Sequence, residues 1–166
     1  MTWRADTHTR VVVFAREPRA GRVKTRLIPL LGAHGAARLH ARLLRRALAL
    51  AKDARMGPVE HWTTRRQRGA DLGARMLHAF TRSLRRAERV ILIGSDCPVL
   101  RARDLRLAAR WLAGGADAQQ GASRAQVMAQ TRARLAALGW RWRELPEVWD
   151  VDRPEDVARL RRLRLP

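Results

Sequence analysis

Tyrosine is absent from the 166 residues, and cysteine occurs once, at Cys97. A single thiol excludes an intramolecular disulfide, which suits a reducing compartment and points to the cytoplasm. The five histidines, His8, His34, His40, His61 and His78, are scattered and fall into no zinc-ligand spacing. No apolar run approaches the roughly 20 residues that a membrane span needs. The apolar stretch near the start, Val11 to Ala15, is too short for the core of a secretory signal. Internal repeats and low-complexity tracts are also missing. Acidic residues are few, 15 against 35 basic ones, and among those 35 only Lys24 and Lys52 are lysines.

What is present is the material of a globular protein. Apolar residues make up 46% of the chain, which excludes wholesale disorder, and the length fits one domain with one sizeable core. The net charge of +20 invites a nucleic-acid reading, because released counterions drive non-specific binding. The arginines, however, run along the whole chain in pairs such as Arg45–Arg46, Arg65–Arg66, Arg85–Arg86 and Arg161–Arg162, with no single basic tail. Nucleic acid is therefore a possible partner and not the favoured one, and a membrane partner is not expected. Lys24 is more telling. A chain that almost always chooses arginine places a compact ammonium, a point charge suited to phosphate, inside a glycine-containing loop.

The pattern of elements predicts an α/β fold. Met1 to Arg10 are polar and expected to fray. Val11 to Ala15 and Val90 to Ile93 are apolar throughout, as strands buried on both faces are. A long loop is expected over Arg16 to Pro29. A helix over Ala33 to Arg55 carries Leu39, Leu43, Leu44, Ala47, Leu48 and Ala51 on one stripe and ends at Met56-Gly57-Pro58. Val59 to Trp62 reads as a short strand. Asp71 caps a helix reaching Ala87, with Leu72, Met76, Ala79 and Phe80 inward. Further helices are expected over Arg103 to Leu112, over Ser123 to Leu138, and from Pro154 onward. Ala116 to Gln119 reads as a weak strand and Trp140 to Leu145 as an edge strand. Apolar strands alternating with helices imply right-handed parallel βαβ units. Ligands of such sheets bind at the carboxyl ends of the strands, here from residue 16 and from residue 94 onward.

Four segments there carry candidate chemistry. In the loop that opens with Arg16, Gly21 lets the backbone approach a ligand, and Arg16, Arg22, Lys24 and Arg26 can neutralise a diphosphate beside the Thr25 hydroxyl. The glycine and lysine spacing is not that of a Walker loop, and a basic surface loop is the plain alternative. In Gly94-Ser95-Asp96-Cys97-Pro98, Asp96 follows a buried strand and can hold Mg²⁺ or Mn²⁺ together with phosphate oxygens, or merely brace the turn. In Asp150-Val151-Asp152-Arg153-Pro154, extended backbone would send Asp150 and Asp152 to one side. Asp152 is equally a second metal carboxylate or the cap of the last helix. Gly69 to Met76 alone reads as a capped helix start. Cys97 is expected to be a small buried residue, and the tryptophans to be core and rim residues. Stacking of a base on Trp3 or Trp149 has no positional support.

Together, FAREPRAGRVKTRLIPLLG (Phe14 to Gly32), DLGARM (Asp71 to Met76), ILIGSDCPVL (Ile91 to Leu100) and DVDRPEDV (Asp150 to Val157) resemble a bacterial domain-of-unknown-function family. That family lies within the GT-A nucleotide-diphospho-sugar transferases and is sometimes labelled arsenosugar-biosynthesis glycosyltransferase. The resemblance covers most of the chain. It implies a Rossmann-like three-layer α/β/α sandwich with a mostly parallel sheet that binds a nucleotide-diphosphate sugar or a nucleoside triphosphate. Arg16, Lys24 and Arg26 would meet the phosphates, Asp96 the metal, and Asp152 would be the second acidic group. The implied activity is metal-dependent glycosyl or nucleotidyl transfer, with Asp96 and Lys24 as the catalytic pair. The family's acidic, glycine-rich, tyrosine-containing segment is replaced by ADAQQGASRAQ at Ala116 to Gln126. A shortened, non-catalytic nucleotide-binding relative is therefore the alternative.

Overall fold

A computed structural model describes residues 8–114, 117–119, 136, 137, 139 and 142–163. Three strands, β1 (Thr9–Phe14), β2 (Val59–Trp62) and β3 (Arg89–Ile93), form a fully parallel sheet in the order β2-β1-β3. Between and after them lie helices α1 (Ile28–Asp53), α2 (Leu72–Leu84), α3 (Ala102–Ala113) and α4 (Pro154–Arg162). Two further strands, β4 (Asp117–Gln119) and β5 (Trp142–Glu144), pair in parallel with each other. The fold is the expected Rossmann-like α/β type.

The central position of β1 follows from its sequence. Val11, Val12 and Val13 are fully buried, so both faces must be covered, and consecutive β-branched residues fit that environment. The strand starts two residues earlier than its apolar run suggests. Thr9 is also fully buried, and the backbone N–H of Arg89 donates to the His8 carbonyl at 3.0 Å.

On one face Val11, Val13, Ile91 and Ile93 pack against Leu44, Ala47 and Ala51 of α1 and Leu105, Ala108 and Ala109 of α3. On the other, Val12 and Val90 pack against Ala79 of α2, with Phe80 alongside. The chain passes from β1 to β2 on one side, then crosses back to β3 on the other. Right-handed crossovers in opposite directions place α1 and α2 on opposite faces of the sheet. The result is three layers.

Several boundaries differ for local physical reasons. Helical hydrogen bonding begins at Ile28, but Gly32 has φ 68° and ψ 164° and kinks the segment, so regular helix starts near the expected Ala33. Leu72, expected inward, is 64% exposed because it stands at the first turn of α2, ahead of the stripe that reaches the sheet. Asp152 does not cap α4. The Asp156 carboxylate does so, accepting from the N–H groups of Asp152 at 3.0 Å and Arg153 at 2.7 Å. All but Ala136 and Ala137 of the helix expected over Ser123 to Leu138, and most of the Ala116 to Gln126 segment, lie outside the described residues. Among the described residues no helix is long and apolar enough to cross a membrane.

Candidate functional site

With strand order β2-β1-β3, the chain leaves β1 toward β2 and later returns to β1's other side. The loops after β1 and β3 leave the sheet side by side at the carboxyl ends of adjacent strands, the edge where ligands of such sheets bind. A cleft of ≈ 400 Å³ lies there, and its walls include Arg16, Arg22, Lys24, Thr25, Asp96 and Asp152. Sequence segments separated by more than a hundred residues are thus brought to one place.

Lys24 is the centre of this arrangement. Its backbone adopts the left-handed conformation, φ 49° and ψ 42°, at the start of the short 3-10 turn Thr25–Leu27. That geometry carries the side chain inward, where only 3% of it is exposed. The ammonium lies 2.7 Å from Asp96 Oδ2 and donates to the Val151 carbonyl at 2.5 Å. An ammonium has three donors, so one N–H remains for a ligand. The Val151 N–H in turn donates to the Asp96 carbonyl at 2.9 Å. Val151 itself is fully buried between Leu27, Leu43 and Val157. This lattice ties the basic loop, the end of β3 and the approach to α4 into one unit.

Asp96 is 42% exposed at its side chain and faces the cleft. The Ser95 hydroxyl donates to its Oδ1 at 2.9 Å. Asp152 also lines the cleft and is ion-paired with Arg26. Arg26 and Gly21 are not among the lining residues, so Arg26 acts on the cleft through Asp152. Gly21 serves the turn, with φ 73° and no protein atom within 4 Å of where a Cβ would stand.

Asp150, outside the lining of the cleft, feels the charges of its acidic side. Burial, and then the negative charges of Asp152 and Asp96, hold its carboxyl above the usual range, with the Lys24 charge opposing. Among the described residues no group of three or more His, Cys, Asp or Glu is arranged to enclose a metal. The donor chemistry nevertheless fits Mg²⁺ or Mn²⁺ of the kind that takes one or two carboxylates and completes its shell with phosphate oxygens and water. The carboxylates of the cleft wall are Asp96, Asp152 and Asp71, and Asp71 is committed to capping α2, so Asp96 and Asp152 would be the pair to hold such an ion.

The structure adds residues that the motifs do not mark. His40, 5% exposed, lines the cleft from α1. Its Nε2 is 2.9 Å from the Arg16 carbonyl and therefore carries the proton. Its Nδ1 is buried without a hydrogen-bond partner, 3.9 Å from Asp96 Oδ1. A histidine on the buried stripe of α1, with Ala36, Leu43 and Leu44, was the available signal. The DLGARM segment contributes Asp71, Leu72 and Arg75 to the wall, and Gln67 joins them from the loop before it. Asp71 caps α2, accepting from the Ala74 N–H at 2.8 Å. Gly69 is required behind it, because a Cβ there would fall 2.7 Å from Ala74 Cβ.

Burial pushes the Cys97 thiol up, so it stays protonated at neutral pH. Trp149 is covered by Arg159, 4.3 Å above its ring, and is not among the cleft-lining residues.

The order of the strands, the two covered faces and the ligand crevice define an α/β protein of Rossmann-like type. The model of a bacterial family described as uncharacterized protein conserved in bacteria, DUF2064, matches residues 31–124. The chain belongs to that family. The matched stretch holds α1 from Leu31 onward, DLGARM and Asp96, while Phe14 to Leu30 and Asp150 to Val157 fall outside it. No curated protein matches. The fold is similar to the crystal structure of a candidate nucleotide-diphospho-sugar transferase from Desulfovibrio desulfuricans G20. The two share 24% identity over 89% of this chain and 83% of the other, with a TM-score of 0.76.

Proposed function

We propose that the protein is a metal-dependent transferase that takes a nucleotide-diphosphate donor, either a nucleotide sugar or a nucleoside triphosphate. The observation that carries this reading is the meeting of Arg16, Lys24, Thr25, Asp96 and Asp152 in one cleft at the carboxyl ends of β1 and β3. The shared fold with a candidate nucleotide-diphospho-sugar transferase supports it.

In this reading Arg16, the remaining N–H of Lys24 and the Thr25 hydroxyl bind the diphosphate. Asp96 and Asp152 hold Mg²⁺ or Mn²⁺, which when bound neutralises the charge that develops on the leaving diphosphate. Lys24 stabilises the same charge from the protein side, in a position fixed by Asp96 and Val151 before substrate arrives. Arg26 keeps Asp152 turned to the cleft. The ADAQQGASRAQ segment favours one alternative, a relative that binds the nucleotide without transferring it.

Thermal melting across nucleoside diphosphates and nucleotide sugars, with and without metal, tests the reading. A ligand at about a hundred times its Kd stabilises the native state by roughly 2.7 kcal/mol, a rise of about 5 °C or more for this size. A metal-dependent rise with one nucleotide, lost in Asp96→Asn, is expected. Turnover of the matching nucleotide sugar selects the enzyme, and stabilisation without turnover selects the binding relative. No rise with any nucleotide at millimolar concentration would sink both.

A further inference from the structure

A second concavity, of ≈ 350 Å³, opens beside β2 and α2, outside the cleft. Five arginines converge on it: Arg65, Arg66 and Arg68 from the loop after β2, Arg82 from α2, and Arg86 from the turn before β3. One carboxylate, Glu60, is present on its wall, and it is already committed. It accepts from the Trp62 indole at 2.7 Å and from Arg66 at 3.1 Å, and it is ion-paired with Arg10. Trp62, 3% exposed, forms the floor, with the Arg66 guanidinium 4.5 Å above its ring.

This clustering is not what arginine-rich composition alone produces. From His61 to Ala87 the chain has seven arginines and a single acidic residue, Asp71, whose carboxylate caps α2. Of the five guanidiniums, Arg66 meets Glu60 and Arg65 meets Glu17 at 3.6 Å, which leaves Arg68, Arg82 and Arg86 without a carboxylate partner among the described residues. Arg82 and Arg86 have no side-chain hydrogen-bond or ion-pair partner among the described residues. Like charges held around one concavity repel, and a ligand carrying several negative charges relieves that repulsion while meeting forked donors that match phosphate oxygens.

We propose that this concavity binds a run of phosphates, on a nucleic-acid strand or in a free oligophosphate. The site is independent of the nucleotide cleft. The loop between them, with Gln67 on the cleft side and Arg66 and Arg68 on the other, separates the two.

The test compares Arg82→Ala/Arg86→Ala with a control of equal charge loss, Arg161→Ala/Arg162→Ala, exposed on α4. Anisotropy of a labelled single-stranded oligonucleotide and calorimetry with inorganic tripolyphosphate are measured on the whole chain, with melting curves to confirm folding. Loss of two charge-assisted contacts should weaken binding about tenfold or more. For the oligonucleotide it should also lower the log K against log salt slope by about 1.4, roughly 0.7 for each lost phosphate contact. The control should change affinity about threefold at most. A selective loss with the oligonucleotide assigns a nucleic-acid strand. A selective loss with tripolyphosphate alone assigns a free oligophosphate. Equal effects of the two double variants on both ligands, or no binding of either ligand, would overturn the proposal.

Discussion

The cleft between β1 and β3 and the groove beside β2 draw on the same arginine-rich chain and use it in opposite ways. At the centre of the cleft the buried cation meets a carboxylate, Lys24 with Asp96, and Arg26, behind the lining, pairs with Asp152. The key lysine is buried, and its geometry is fixed by a backbone carbonyl 127 residues away. In the groove, guanidiniums outnumber carboxylates and reach solvent, with Arg65 80% and Arg66 47% exposed at their side chains. A net charge of +20 describes neither region. Position and pairing decide whether a cation holds the fold together or waits for a ligand.

The comparison is broken most forcefully at Asp96. Asp96→Asn removes the charge that neutralises the Lys24 ammonium and leaves it only neutral acceptors, the amide oxygen and the Val151 carbonyl. Removing one partner of a buried pair costs about 3–5 kcal/mol, and the partial exposure of Asp96 argues for about 3. Denaturant melts should show this loss, and Lys24→Met on top of it should recover part. No recovery would mean that the pair is not coupled.

Glu60→Gln comes next, because Glu60 anchors the floor of the groove. Burial raises its carboxyl, but hydrogen bonds from Trp62 and Arg10 and the charges of Arg10 and Arg66 outweigh that and hold it below the ordinary value. A depressed folded-state value gives stability that is present above the unfolded value and lost as pH falls through the folded one. The substitution should cost about 2 kcal/mol at neutral pH, and the difference from wild type should shrink steadily below about pH 4.3. A pH-independent difference would contradict the ion-pair account.

Asp150→Asn has the opposite sign. Its carboxyl is held high, so its ionisation costs stability once pH rises through the folded value. The variant should melt higher than wild type at pH 7, with the gain vanishing below about pH 3.9. An unchanged melting point at pH 7 would remove Asp150 from the acidic cluster. The smallest effect belongs to Arg82→Ala/Arg86→Ala, which should stay within about 0.5 kcal/mol of wild type because these side chains are exposed and unpaired. A loss of several kcal/mol would show that they hold structure.

Much of this was legible in the sequence where local physics decides. Val11 to Val13 and Val90 to Ile93 announced strands because only a strand covered on both faces tolerates unbroken apolar residues. Asp96 was legible because a carboxylate directly after such a strand must stand at the ligand edge. Asp71 was legible as a cap. What stayed hidden is tertiary. Nothing near Lys24 in sequence indicates that Val151 will accept from it, or that His40 will donate to the Arg16 carbonyl. Asp152 fits the chemistry of a helix cap, yet Asp156 sits where it can accept from two N–H groups at once, and Arg26 draws the Asp152 carboxylate away. Gly21 carries a positive φ whether or not a ligand lies against it, so its spacing could not separate turn from contact. The groove was visible only as paired arginines spread along the chain. Its convergence depends on α2 packing beside β2.

The central claim is that the paired charges of the cleft hold a metal–diphosphate. Calorimetric titration of Mn²⁺ together with a nucleoside diphosphate, into wild type and into Asp96→Asn shown by melting to be folded, tests it most directly. The account predicts saturable binding to wild type that needs both metal and nucleotide and is lost in the variant. Binding of equal affinity to both proteins, or binding indifferent to metal, would contradict it.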